Sequence, residues 1–119
     1  MFRTIFKIPE SEYKINPALK LMFFGSCFTE NIGKRIELLQ LKSVLNPFGI
    51  LYNPATVADN LRIIIGKKLF SDNDLEFNND KWLSFHHHGR FSNSDKQICL
   101  KNINYEFLII STNFFANTL

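Results

Sequence analysis

Three observations predict an α/β fold with a parallel sheet at its centre. Residues 21–24 are a short, wholly apolar run that stops at Gly25, the pattern of a strand covered on both faces. A helical spacing of apolar residues begins directly after it, at Ile32, Ile36 and Leu39, with Lys34, Arg35 and Glu37 on the other side. A second short apolar stretch at residues 43–45 follows that helix. Strand, helix and strand joined by short connections make a βαβ unit, which requires the two strands to be parallel.

The elements follow in order. Residues 3–8 read as an edge strand, and Pro9 and Pro17 keep residues 1–20 from forming a helix. Thr29 is the expected cap of the first helix, and Gly33 within it marks close packing of helix on strand. Asn53-Pro54 starts a second helix, with Asn as N-cap and Pro at the first helical position. Val57, Leu61 and Ile64 form its apolar face, and Gly66 ends it. Ser71-Asp72-Asn73-Asp74 starts a short helical turn, Asn78-Asn79-Asp80 a tight turn, and residues 81–86 a short strand. Ser92-Asn93-Ser94-Asp95 is a turn and cap signal. Cys99, Ile103, Phe107, Ile110 and Phe114 then step at helical spacing, so residues 96–116 read as one amphipathic helix. Phe, Leu and Ile also allow a strand at 106–110.

At 119 residues the chain fits one domain, and 45% hydrophobic content with thirteen Phe gives it a core to bury. The net charge of +3 is small and the basic residues are scattered, which argues against a nucleic-acid surface. No apolar run approaches membrane-spanning length, and the first residues lack the apolar centre of a signal peptide, so the expected compartment is the cytoplasm. Cys27 and Cys99 show no zinc or redox spacing. A disulfide between them is open, with two reduced thiols the commoner intracellular state. No phosphate loop or dinucleotide fingerprint is present, so no nucleotide cofactor is expected. Nor does the chain contain a Gly-x-Ser-x-Gly elbow.

The chemistry concentrates at Gly25-Ser26-Cys27. The carboxyl end of a parallel strand turning into a helix is where α/β sheets hold ligands. The unpaired N–H groups of the first helical turn favour negative charge there, which suits a hydroxyl or thiol nucleophile and its oxyanion. The plain alternative is a small buried Cys27 beside a helix-capping Ser26. His86 and His88 share one face of an extended strand with His87 on the other; two His alone make a poor metal site, and no third ligand is evident.

Gly25-Ser26-Cys27-Phe28 resembles the signature of the GSCFA domain family, with Thr29 where the family name has Ala. Asn46-Pro47-Phe48-Gly49-Ile50-Leu51-Tyr52-Asn53-Pro54 and Trp82-Leu83-Ser84-Phe85-His86-His87-His88, followed by Arg90-Phe91-Ser92, extend the resemblance in the same order. So does the opening Phe2-Arg3-Thr4 with Ile8-Pro9. GSCFA domains resemble the SGNH hydrolases, which implies a three-layer α/β/α fold and cleavage of esters. Laid on the Gly-Asp-Ser block of those enzymes, Cys27 takes the nucleophile position and Ser26 stands where Asp is usual. Cys27 is the preferred nucleophile and Ser26 the first alternate. The resemblance further implies an oxyanion role for Gly49, with Asn46 donating from its side chain. It also implies a functional role for His87 or His88, as a base for Cys27 if that loop folds over the strand ends. Arg90 could hold an anionic group of the substrate. The bland readings are turns at Asn46 and Gly49, a polar turn for the histidines and a solvated Arg90.

In SGNH enzymes the general-base His comes from a carboxyl-terminal loop. The chain therefore reads as the amino-terminal part of a single GSCFA domain, residues 1–119, truncated after the first βαβ units and a poor catalyst by itself. The expected function is acyl-ester cleavage of a small-molecule, carbohydrate or lipid ester, with no metal. The alternatives are a non-catalytic pseudoenzyme or gene remnant that self-associates through an exposed sheet edge, and a metal-binding module using His86 and His88.

Overall fold

A computed structural model describes residues 3–114. Strand β1 (Lys20–Phe23) leads into helix α1 (Cys27–Leu38), then strand β2 (Lys42–Leu45) and helix α2 (Pro54–Ile65). A single helical turn at Asp72–Asp74 precedes strands β3 (Glu76–Asn78) and β4 (Lys81–Leu83). A second such turn at Gly89–Phe91 leads to helix α3 (Lys96–Phe114). The chain is a small mixed α/β protein.

The βαβ reading holds at its centre: β1 and β2 pair in parallel, with Leu21 beside Ser43 and Phe23 beside Leu45. Their residues are half-buried except for the exposed Lys42, because among the described residues the two strands pair only with each other. Helix α1 lies over the pair. Its buried residue is Gly33, where an added Cβ would overlap the Leu45 side chain. The side of α1 that carries Gly33, not the expected stripe, is the buried one. Ile36 is half-buried, but Ile32 and Leu39 of the stripe are exposed, as is the adjacent Leu38.

Residues 3–19 form no strand and are exposed throughout, which corrects the edge-strand expectation for 3–8. The local pattern there had no neighbouring strand to pair with. Phe2 lies outside the described residues, as do 115 and 116 at the end of the predicted last helix.

Helix α2 starts as expected, with the Asn53 side chain accepting from the Ala55 N–H at 2.9 Å and Pro54 in the first turn. Its buried positions are Asn60 and Ile64, while Leu61 and Ile65 are exposed. Strands β3 and β4 form an antiparallel hairpin, Phe77 opposite Trp82. Asn79 and Asp80 both have positive φ, 49° and 60°, as a two-residue hairpin turn of matching twist requires. The expected strand at 81–86 stops at Leu83. Beyond it the backbone turns, with the His87 N–H donating to the Ser84 carbonyl at 3.1 Å.

Helix α3 keeps the spacing expected of it. Cys99, Ile103, Phe107 and Ile110 are all buried, and the strand alternative for 106–110 is absent. They meet Phe48, Ile64, Phe70, Leu75 and Phe91 in one core. The Asp95 carboxylate caps α3, accepting from the Gln97 and Ile98 N–H groups at 2.8 and 3.0 Å. Asn104 fastens the helix to the connection that follows α2, exchanging two hydrogen bonds with the Phe70 backbone at 2.9 and 3.0 Å. No helix among the described residues is long and apolar enough to cross a membrane.

Candidate functional site

The carboxyl ends of β1 and β2 meet at one buried side chain, Asn46. Its N–H extends the parallel ladder to the Phe23 carbonyl at 2.8 Å. The chain then turns sharply, with Asn46 at φ 41° and Gly49 at φ 83°. The Asn46 Oδ1 accepts from the Gly25 N–H at 2.8 Å, and its Nδ2 donates to the Glu30 Oε1 at 3.4 Å. The Asn46 carbonyl accepts from the Gly49 N–H at 2.7 Å and from an Arg90 Nη at 3.3 Å. Gly25, Glu30, Gly49 and Arg90 thus converge on one residue. The Leu51 N–H adds a further tie to the Gly25 carbonyl at 3.2 Å.

Ser26 and Cys27 follow Gly25, whose φ of 148° is open to glycine alone. Ser26 is the N-cap of α1, its Oγ accepting from the Phe28 N–H at 3.2 Å. This corrects the cap expected at Thr29: α1 begins at Cys27, so Thr29 lies inside its first turn, its side chain against Gly25. Cys27 is exposed, and both cysteines are free thiols. Ser26 takes up the Phe28 N–H and the Ser26 carbonyl the Glu30 N–H. That leaves the Cys27 and Thr29 N–H groups without an acceptor among the described residues.

The three histidines part company. The His86 carbonyl accepts from Asn60 Nδ2 at 3.0 Å, which pins the segment to α2. The His87 ring lies among Phe48, Phe70 and Phe91, with centroids 4.7, 4.8 and 5.2 Å away, and its Nδ1 is 3.0 Å from the Ser84 Oγ. Burial, with a smaller contribution from His86, lowers its pKa to about 3. His88 is exposed. Its N–H donates to the Phe48 carbonyl at 2.8 Å and its Nδ1 accepts from the Arg90 N–H at 3.2 Å. In neutral form it therefore carries its proton on Nε2. A Cβ at Gly49 would run into the His88 side chain, so that glycine is what lets the two loops touch.

Of the residues singled out in the sequence, Asn46, Gly49, His88 and Arg90 are brought together, and Ser26 and Cys27 leave from the same junction. His87 is turned into the core. Among the described residues, no three His, Cys, Asp or Glu side chains lie close enough to hold a metal ion. Arg90 stacks on Phe91, 4.8 Å from the ring centroid, and with Asn102, Tyr105 and Glu106 the two line an open cleft of about 240 Å³. Sequence reasoning missed Glu30, Asn60 and Ser84. Asn60 alone left a trace: it lies between Val57 and Ile64 on the inward side of α2, where a polar residue needs a partner.

A parallel strand pair whose first strand ends in a glycine turn and a Ser-Cys helix start defines a small α/β protein with an exposed thiol at its strand–helix corner. The chain belongs to the GSCFA family, whose sequence model matches residues 20–118 and so takes in the corner, the Asn46 turn and the histidine segment. Comparison with curated proteins and with solved structures gave no match.

Proposed function

We propose that this chain carries the nucleophile corner of an SGNH-like ester hydrolase with a three-layer α/β/α fold, acting through Cys27 with Ser26 as alternate. One observation carries the reading: an exposed thiol at the first position of α1, directly after a glycine turn at the carboxyl end of a parallel strand. Family membership supports the same assignment. The Cys27 sulfur, as thiolate, adds to the acyl carbonyl carbon, and the carbonyl electron pair moves onto oxygen. The intermediate re-forms its carbonyl, and the alcohol leaves with a proton. Water then cleaves the thioester, releasing the carboxylic acid and restoring the thiol.

The unpaired Cys27 and Thr29 N–H groups are the donors suited to the oxyanion. Of His87 and His88, only the latter is exposed beside Gly49; the leaving alcohol takes its proton from solvent water. The substrate class is a small-molecule, carbohydrate or lipid ester.

A non-catalytic role is the second reading, favoured by the internal engagement of the Gly49 N–H and the Asn46 amide. Turnover of a chromogenic short-chain ester by the protein separates the two. Cys27→Ala is expected to lower kcat/KM on the order of a hundredfold and Ser26→Ala less than tenfold. Equal rates in all three proteins would remove the nucleophile assignment and leave the non-catalytic reading.

A further inference from the structure

We propose that Asn46 is the positioning residue of the Ser26–Cys27 corner, acting through the Gly25 turn rather than on a substrate. Twenty-one residues separate Asn46 from Gly25, yet the buried amide Oδ1 holds the Gly25 N–H at 2.8 Å. The other end of the same amide faces Glu30 in the first turn of α1. Asn46 therefore grips the junction from both sides, at the glycine before the helix and at the helix itself. Only a side chain that accepts at one end and donates at the other can satisfy an N–H and a carboxylate together. Asn is also among the few non-glycine residues that tolerate the positive φ found here. The Asn46 backbone carbonyl meanwhile gathers Gly49 and Arg90. The amide, engaged at both ends, is spoken for before any substrate arrives.

The proposal rests on the hydrolase reading only for its effect on turnover, and a second readout is independent of that reading. Iodoacetamide alkylates a thiol by forming a carbon–sulfur bond as iodide leaves, with no oxyanion. Peptide-resolved mass spectrometry follows Cys27 alone. The full chain is compared with Asn46→Ala, Asn46→Asp and the double variant Asn46→Asp/Glu30→Gln, well below each melting temperature. Asn46→Asp keeps the acceptor for Gly25 but sets two carboxylates against each other. The double variant restores one donor and one acceptor in reversed order.

Asn46→Ala and Asn46→Asp are expected to slow Cys27 alkylation threefold or more, with the double variant returning to within twofold of the parent. Ester turnover should fall and recover in parallel. An unchanged alkylation rate with reduced turnover would make Asn46 an oxyanion donor and overturn the proposal, as would unchanged rates in both assays. If the parent lacks turnover the hydrolase reading fails, and alkylation alone decides the positioning role. If Asn46→Ala loses its cooperative melt, the two Asp-bearing variants decide: faster alkylation in the double supports the proposal, and equal rates overturn it.

Discussion

The His87 imidazole and the Ser84 hydroxyl form a polar pair, Nδ1 to Oγ 3.0 Å, with Ser84 buried and Phe48, Phe70 and Phe91 around the ring. Burial holds the His87 pKa down near 3, against 6.5 for a free imidazole. Between those values the unfolded chain binds a proton that the folded chain does not. The contribution of His87 is therefore whole above pH 6.5 and is lost as pH falls toward 3. The steepest slope is about 1.4 kcal/mol per pH unit. Urea unfolding at pH 7.5 and 4.5 should show a smaller acid loss in His87→Leu than in the parent. Equal losses would mean that the ring is not neutral and enclosed.

The contact between α1 and β2 predicts a glycine that alanine cannot replace. Alanine at an ordinary helix position is favoured over glycine by about 1 kcal/mol. At Gly33 its Cβ would overlap Leu45, so Gly33→Ala should destabilise by about 1–3 kcal/mol. Gly89→Ala, with open space around the added carbon, should stay within about 0.5 kcal/mol of the parent. Chemical denaturation of both variants checks the contrast.

The two thiols should separate cleanly. Cys99 is fully buried, its S–H donates to the Trp82 carbonyl at 3.3 Å, and burial pushes its pKa up. Cys27 is exposed. A disulfide-exchange reagent should titrate one thiol in the native protein and the second only in denaturant. Cys27→Ala should abolish the native reaction; two fast thiols in the folded parent would contradict the burial of Cys99.

Asp74 closes the turn before β3. The Ser71 N–H donates to its carboxylate at 2.7 Å, the Ser71 hydroxyl at 2.8 Å and Lys68 at 3.0 Å. The Ser71 backbone bond leads in lowering its pKa to about 2. This stabilisation is present above pH 3.8 and lost as pH falls through 2. Asp74→Ala should cost about 1 kcal/mol at pH 7, as loss of a helix-turn cap does. The gap between parent and variant in denaturant midpoint should narrow by pH 2.5.

Where the sequence was legible, the signal was local. Asn53-Pro54 declared a helix start, and the Cys99-to-Ile110 spacing declared the buried side of α3, because both depend on residues within one or two turns. The parallel pair followed from two apolar runs around a helix. Thr29 was misjudged as the cap because the helix begins earlier, at Cys27, which moves the cap to Ser26. The 3–8 segment has strand-like residues, but pairing is a property of two segments. Strand β3 is three exposed residues and left only its turn, Asn78-Asn79-Asp80, as a trace. The corner could be read as Ser and Cys after a strand. The grip of Asn46 on Gly25 and the enclosure of His87 arise between segments far apart in sequence, which no local period encodes.

Trp82 and Asn93 exchange both backbone hydrogen bonds, at 2.7 and 3.1 Å, and so draw the chain between them into a noose with a fixed neck. Everything His88 and Arg90 contribute to the corner is delivered by that noose. Its circumference becomes a tuning dimension: a residue added or removed between 83 and 92 would leave the neck and the helices intact while rotating the imidazole and guanidinium out of step with the thiol. Side-chain identity and loop length are thus two separate handles on the same few atoms.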